Sequence, residues 1–533
     1  MTSPHAAEGN SSPGAFYQTA DEVSPAHSMR QRASTTAVRG AKTVAGDLAA
    51  VASGRVALVL LAAVSVVITT RLLGPRGYAV LALVGVVAKL AWNAGTSWTG
   101  ISARRYGRED LELRGKMNRI TWNRGLIAAP LVLASFLLML GLKAAGVVPL
   151  GLTWNLVAIA LATSLMLMLT DHLTTMLEAA GRMRLSAGVQ VLGQAAYVGA
   201  LVVVFVSLRH FSAPSVLLLN LAIGACVTIA LTRLAWRTSI VPLEFDRKLL
   251  RRMLKLSIPM IGFTVSQYVF SAVDIVILKI FRGQADVGIY AVAYQAFSTL
   301  SQVAQALTIV LVPLFVSLKL AGREDVVRRY MERSVRQGVF LFAVIAGLAI
   351  PFIPLAVPLV FSSAFAGAVV PMAVLMCGLT FFFANSLVAP VLTLHEQSRA
   401  LAIVWTGGAV LNVIGDIVFV AILHMGILAP AIATSGALMC MFAGYYLAAQ
   451  RPLGVRIPLP LLQVIPLAAG LLPTLVWGGI TGTIAGVLAV VGASTALIMW
   501  KRPFSREDTD VIATLRLPES VKRFAIGVIN FID

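Results

Sequence analysis

The chain is 533 residues long, 58% hydrophobic and only 12% charged, with a mean hydropathy of +0.86. Soluble domains carry about 25% charged residues, so this composition excludes a water-soluble globular fold. The formal net charge is +20, but the basic residues fall in short clusters between apolar runs, which excludes a nucleic-acid partner.

Residues 1–48 are polar and rich in Ser, Ala, Thr and Gly, and read as a disordered cytoplasmic tail. No apolar core follows the first residues, so no cleaved signal peptide is expected. A crossing needs about 20 mostly apolar residues. Fourteen runs meet that requirement, at 51–71, 77–99, 125–142, 152–176, 187–207, 214–235, 256–278, 288–315, 337–358, 366–392, 401–422, 427–449, 459–478 and 481–500. The fold class is therefore all-α and polytopic. Beyond Lys501, the segment 519–532 alternates Lys522 and Arg523 with Phe524, Ile526, Val528 and Ile529, and reads as an interfacial amphipathic helix.

Orientation follows from Lys and Arg. With the N-terminus inside, thirty-six of the 43 basic residues fall in cytoplasmic segments, six fall outside, and Lys89 lies within a span. Both termini are thus expected in the cytoplasm. Two halves echo each other. Gly77-Tyr78-Ala79-Val80-Leu81-Ala82 recurs as Gly288-Ile289-Tyr290-Ala291-Val292-Ala293, and Leu177 and Arg184 recur as Leu392 and Arg399. These echoes keep the same side of the membrane, which predicts a parallel repeat. The expected divisions are an N-lobe at 49–240 (spans 1–6), a C-lobe at 241–450 (spans 7–12), an extra pair at 451–502 and a tail at 503–533.

Polar groups inside spans are costly and need a reason. Span two carries Lys89, Asn93 and Thr96 on one helical face, and span four carries Asp171, Thr174 or Thr175, and Glu178. Span five carries Gln190, Gln194 and Tyr197; span seven carries Gln267, Ser271 and Asp274. Span eight carries a stripe of Gln295, Ser298, Gln302 and Gln305, and span eleven carries Asn412 and Asp416. Two readings stand. The strips line a water-filled cavity that binds substrate or a coupling ion, or they tie helices together by hydrogen bonds. Lys89 is the sharpest residue: it contacts an anion, or it pairs structurally with Asp171 or Asp274.

Cys226, Cys377 and Cys440 all lie in apolar runs, with neither disulfide nor metal-ligand spacing. There is no phosphate-binding GxxxxGK[ST] loop and no HExxH. No cofactor is expected. The outside loops are short, which argues against an enzyme that ligates or polymerises sugars.

Arg71-Leu72-Leu73-Gly74-Pro75 followed by Gly77-Tyr78, the run from Asp274 to Tyr290, Pro313, Phe361 with Phe365-Ala366-Gly367-Ala368, and Asn412 followed by Gly426-Ile427 and Ala431-Ile432-Ala433-Thr434 form an ordered set. Over about residues 50–450 this set resembles the polysaccharide flippases of the multidrug/oligosaccharidyl-lipid/polysaccharide exporter superfamily. Asp416 departs from the family, which usually has a neutral residue there, and Lys279 stands where a small residue is common. The resemblance implies two lobes working by alternating access in a bacterial inner membrane. It implies an undecaprenyl-diphosphate-linked oligosaccharide as cargo, moved to the outer leaflet, with membrane lipids and glycan polymerase or export machinery as partners. An ion-coupled small-molecule or multidrug exporter of the same superfamily is the alternative.

Overall fold

A computed structural model describes residues 25–146, 151–207 and 211–501. The chain divides into two compact units, Met1–Val51 and Ala52–Asp533. In the first unit the backbone is helical from Pro25, so residues 25–48 of the expected disordered tail are helix, and the rest of that tail lies outside the described residues. The amphipathic segment at 519–532 also lies outside them.

Seventeen α-helices follow in order among the described residues. Helix α1 runs Pro25–Gly95, then come α2 (Gly100–Arg114), α3 (Asn118–Ala144), α4 (Trp154–Ala179), α5 (Met183–Ser207) and α6 (Ala213–Ala235). Next are α7 (Arg247–Ser257), α8 (Met260–Phe281), α9 (Gln284–Leu320), α10 (Glu324–Arg329), α11 (Val335–Ala349) and α12 (Ile353–Phe361). The last are α13 (Val369–Leu394), α14 (Ser398–Asp416), α15 (Leu428–Leu453), α16 (Ile465–Trp477) and α17 (Gly479–Lys501). Among the described residues, eleven helical runs are long and apolar enough to cross a membrane, and Leu462–Trp477 is a shorter apolar helix. The chain is a multi-pass, all-helical membrane protein.

The first two expected spans form one helical run, Ser53–Gly95, of 43 residues. At 1.5 Å per residue that run is about 65 Å long, twice the thickness of a hydrocarbon core. Gly74 breaks it, with φ 62° and ψ −178°, a conformation open to glycine and followed by Pro75, which has no N–H to give. The two expected spans fall on either side of that break.

Helix α13 is the most buried of the crossing helices and packs against α9, α11 and α15. Helix α14 packs on α8 and α15. Helices α16 and α17 pack on each other and on α11. Backbones touch there, since a methyl on Gly470 would strike the Gly347 carbonyl oxygen. Thr483 also donates to the Pro351 carbonyl at 2.7 Å. In the first half α4 packs on α2 and α6, and α5 on α6. The outward surface carries exposed apolar side chains such as Leu192, Val206, Val476 and Leu488. Water would not tolerate so much apolar surface, and acyl chains would.

Contacts between the halves cluster at two ends. Near Gly74, the Arg71 guanidinium donates to the carbonyls of Leu359 and Val360, the latter at 2.9 Å. Gln284 donates to the Arg76 carbonyl at 3.2 Å. Gly288 lies so close to Pro75 that a methyl would collide with its carbonyl oxygen. At the other end, the basic helix α7 lies on α2. Arg252 pairs with Glu109 at 3.0 Å and covers the Tyr106 ring, and the Ser257 hydroxyl donates to Ser102 at 2.7 Å. Asp246 starts α7 by accepting from the amides of Lys248 and Leu249, and those bonds hold its carboxyl below the usual range. Arg114 and Arg119 on Glu244 hold that carboxyl below the usual range too.

One buried cation organises the first half. Arg124, 1% exposed, donates to Asp171 at 2.8 Å, to the Thr99 hydroxyl at 2.8 Å and to the Thr96 carbonyl at 2.9 Å. His172 lies between Arg124 and the Thr121 hydroxyl, 3.1 Å from each. The charge count places Arg124 among the cytoplasmic basic residues at 104–124. Here it ties the ends of α1 and α3 to α4, and Asp171 is its partner.

Two stability outcomes follow. Gly288→Ala should destabilise the purified protein by about 1–3 kcal/mol, because a methyl meets backbone rather than a movable side chain. Thermal unfolding in detergent reads this as a lowered midpoint. Arg124→Gln should cost about 3 kcal/mol, the low end for breaking a buried pair, because Asp171 keeps some exposure. The same measurement on the Arg124→Gln/Asp171→Asn double variant should recover part of that loss.

Candidate functional site

Two adjoining chambers lie among α1, α5, α8, α9, α13 and α14. The first, about 280 Å³, is bounded by α1, α5, α8 and α9, with Ser65, Thr69, Tyr78, Tyr197 and Gln295 in its wall. The second, about 240 Å³, adds Phe382 of α13 and Trp405 of α14, and includes Trp92, Asn93 and Gln267. Lys89, Ser271, Tyr294 and Ser298 line both. The strip on α1 explains the meeting point: Val86, Lys89 and Asn93 recur at helical spacing on the face turned to α8 and α9. The Tyr268 hydroxyl donates to the Val86 carbonyl at 3.0 Å and joins α8 to that strip.

Lys89 is exposed and lines both chambers. Neither acid that the sequence offers as its partner reaches it. Asp171 is held by Arg124, and Asp274 lies in a separate cluster. Among the described residues no hydrogen bond or ion pair neutralises Lys89. Asn93 donates back to the Lys89 carbonyl at 2.9 Å, which leaves its amide oxygen toward the second chamber. Gln295 donates to the Thr299 hydroxyl at 3.2 Å.

The second cluster is dry. Asp274, 1% exposed, accepts from the Tyr290 hydroxyl, from the Asn412 amide at 2.9 Å and from the Thr434 hydroxyl at 2.9 Å. The Asp416 carboxyl lies against that of Asp274. Asn412 and Asp416 are one helical turn apart on α14, so one face of that helix delivers both. Both Asp416 oxygens and the Asn412 amide oxygen are buried with no hydrogen-bond donor among the described residues. A π-turn, Ile417–Ile422, begins directly after Asp416, a backbone irregularity common at functional positions. Two carboxylates in a dry core repel strongly unless a proton or a cation lies between them.

The remaining candidates lie elsewhere. Gln194 and Gln302 line neither chamber. Glu178 pairs with Arg104 at 3.1 Å. Some wall residues were not singled out from the sequence, chiefly Trp92, Tyr268, Tyr294 and Trp405. Tyr294 was legible in principle, since it stands one turn from Tyr290 and one from Ser298 on α9. Thr434 stood in the family-like run Ala431–Thr434 without a polar-strip signal, and only the packing of α15 on α14 and α8 brings it to Asp274.

Comparison with known proteins adds a family. Residues 46–319 match the family model described as polysaccharide biosynthesis protein. No curated relative matches at a significant level. Among solved structures the chain is similar to lipid II flippase MurJ in an inward closed conformation, at TM-score 0.62 and 13% identity over 85% of this chain and 98% of that one. It is similar to an inward-facing multidrug resistance MATE family transporter of the MOP superfamily, at TM-score 0.56 and 16% identity over 74% and 94%. It is also similar to a MOP superfamily transporter from Pyrococcus furiosus, at TM-score 0.52 and 13% identity over 76% and 96%. At these identities the likeness is one of fold. The chain belongs to the polysaccharide biosynthesis protein family and carries the fold of the MOP-superfamily transporters.

Proposed function

We propose that this protein flips an undecaprenyl-diphosphate-linked oligosaccharide from the cytoplasmic to the outer leaflet of a bacterial inner membrane, by alternating access. The observation that carries the reading is Lys89, a cation without a partner in a cavity between the halves. A diphosphate cannot enter hydrocarbon without a compensating charge. Lys89 can supply it, while Asn93, Gln267 and Gln295 exchange sugar–water hydrogen bonds for protein ones. The indole N–H groups of Trp92 and Trp405 are buried with no acceptor among the described residues, and a rearrangement of the second chamber would be needed to offer them to sugar hydroxyls. The family's role in polysaccharide biosynthesis and the similarity to a lipid II flippase support a lipid-linked cargo. A transporter family leaves the sugar ligase or polymerase reading without support.

The topology that goes with this function has fourteen crossings, with Ser53–Gly95 passing twice and α9 and Leu462–Trp477 each passing once beside the other runs. The lobes are 49–240 and 241–450, with 451–502 as an added pair and both termini cytoplasmic. The contacts of Arg71, Gln284 and Gly288 hold the outer side shut in this conformation.

The pair Asp274 and Asp416, with Asn412 and Thr434, is the coupling site in this reading. Its ligands are all hard oxygens, which suit sodium or a proton rather than a soft metal. This pair is also the observation that favours the second reading, an ion-coupled small-molecule exporter.

In proteoliposomes with a fluorescent polyprenyl-diphosphate oligosaccharide, Lys89→Ala should slow flipping at least about tenfold, the effect of losing one charge-assisted hydrogen bond of about 1.5–3 kcal/mol. Lys89→Arg should retain most of the rate. Wild-type flipping by Lys89→Ala would sink this role, and export of a small-molecule dye without flipping would favour the second reading. Separately, sodium in place of choline should raise the unfolding midpoint of the wild type, by as much as about 2.7 kcal/mol of stability at a hundredfold excess over the dissociation constant. Asp416→Asn should abolish that shift. A shift that appears only on acidification would make the ion a proton.

A further inference from the structure

A second polar cavity stands apart from the chambers. It is a cleft of about 490 Å³, lined by Arg182, Arg233, Leu234, Trp236, Arg237 and Thr238. Arg182 sits in the turn between α4 and α5, Arg233 in the last turn of α6, and Arg237 in the π-turn Trp236–Ile240 that follows. None of these residues lines either chamber.

The three guanidiniums are uncompensated. The nearby acids are all engaged, Glu178 by Arg104, Asp171 by Arg124, and Glu244 and Asp246 by Arg114 and Arg119. Among the described residues no hydrogen bond or ion pair reaches the side chain of Arg182, Arg233 or Arg237. The N-terminus of α5, at Met183, adds the partial positive charge of its free amides to the same side. The apolar part of the lining is Leu234 and Trp236, and Trp236 is 51% exposed. Tryptophan at the end of a crossing helix marks the headgroup level of a bilayer. A cleft with three bare cations and an apolar rim at that level matches one ligand in both parts, charge and chain. A soluble phosphate would match only the charge.

We propose that this cleft binds the phosphate headgroup of an anionic phospholipid, with Trp236 and Leu234 against its acyl chains. The lipid would join the α4–α5 turn to the end of α6 by neutralising arginines that otherwise repel one another.

The full-length protein in neutral detergent, titrated with phosphatidylglycerol or phosphatidylcholine and read by native mass spectrometry, tests this. Phosphatidylglycerol should bind about a hundredfold more tightly, as expected when three cations near a lipid phosphate each contribute. Arg182→Gln/Arg233→Gln/Arg237→Gln should erase the preference. Arg323→Gln/Arg328→Gln/Arg329→Gln removes equal charge where each arginine already has an acid partner, and should keep it. If the triple cleft variant does not fold, Arg233→Gln alone should lower the preference about fivefold. A folded cleft variant with the wild-type preference would overturn the proposal. So would displacement of phosphatidylglycerol by an equal concentration of inorganic phosphate, or stronger retention of a polyprenyl diphosphate.

Discussion

Hydrocarbon offers no hydrogen-bond partner, so each backbone amide within it needs a partner from the chain itself. Here the answer is helix throughout the crossing segments, with few and specific interruptions. Gly74 with Pro75 breaks a run twice as long as a bilayer is thick. The π-turns at Trp236–Ile240, Tyr330–Ser334 and Ile417–Ile422 are others. Two of these interruptions border the features of most interest. One supplies the contacts that join the halves near Arg71, and another follows Asp416.

The same constraint sorts the charges. A charge in a low-dielectric region must be paired, hydrated or used. Arg124 is paired, and its four contacts fasten α1, α3 and α4 together. Asp274 is satisfied by three donors, while Asp416 beside it has none. Lys89 is left to the cavity. Structural charges and candidate functional charges thus differ by one criterion, whether neighbours complete them. That criterion separates the half-buried Asp171 from the fully buried Asp416, although both are acids within spans.

The placement of helices was largely legible. Each expected apolar run has a helix over most of its length, because apolar length is a local property of the sequence. The candidate site was legible in part. Lys89, Asn93, Gln267 and Gln295 share a cavity because helical spacing had already put each on a polar strip. Gln194 and Gln302 sat on similar strips and line neither chamber, since periodicity gives a face but not what that face meets. The pairing of Lys89 with Asp171 or Asp274 was an open option that packing removed.

The sequence by itself determined that this chain lives in a bilayer, where its helices run, and which charges needed an explanation. Those properties depend on composition and on neighbours three or four positions away. Tertiary structure alone decided the partners. Asp274 meets Tyr290, Asn412, Asp416 and Thr434 from three other helices, as far as 160 positions along the chain. Arg182 meets Arg233 and Arg237 across a cleft between the α4–α5 turn and the end of α6. No local pattern encodes such meetings, because they depend on how whole helices rotate and pack. A charge is structural or functional only after that packing has decided whether a neighbour completes it.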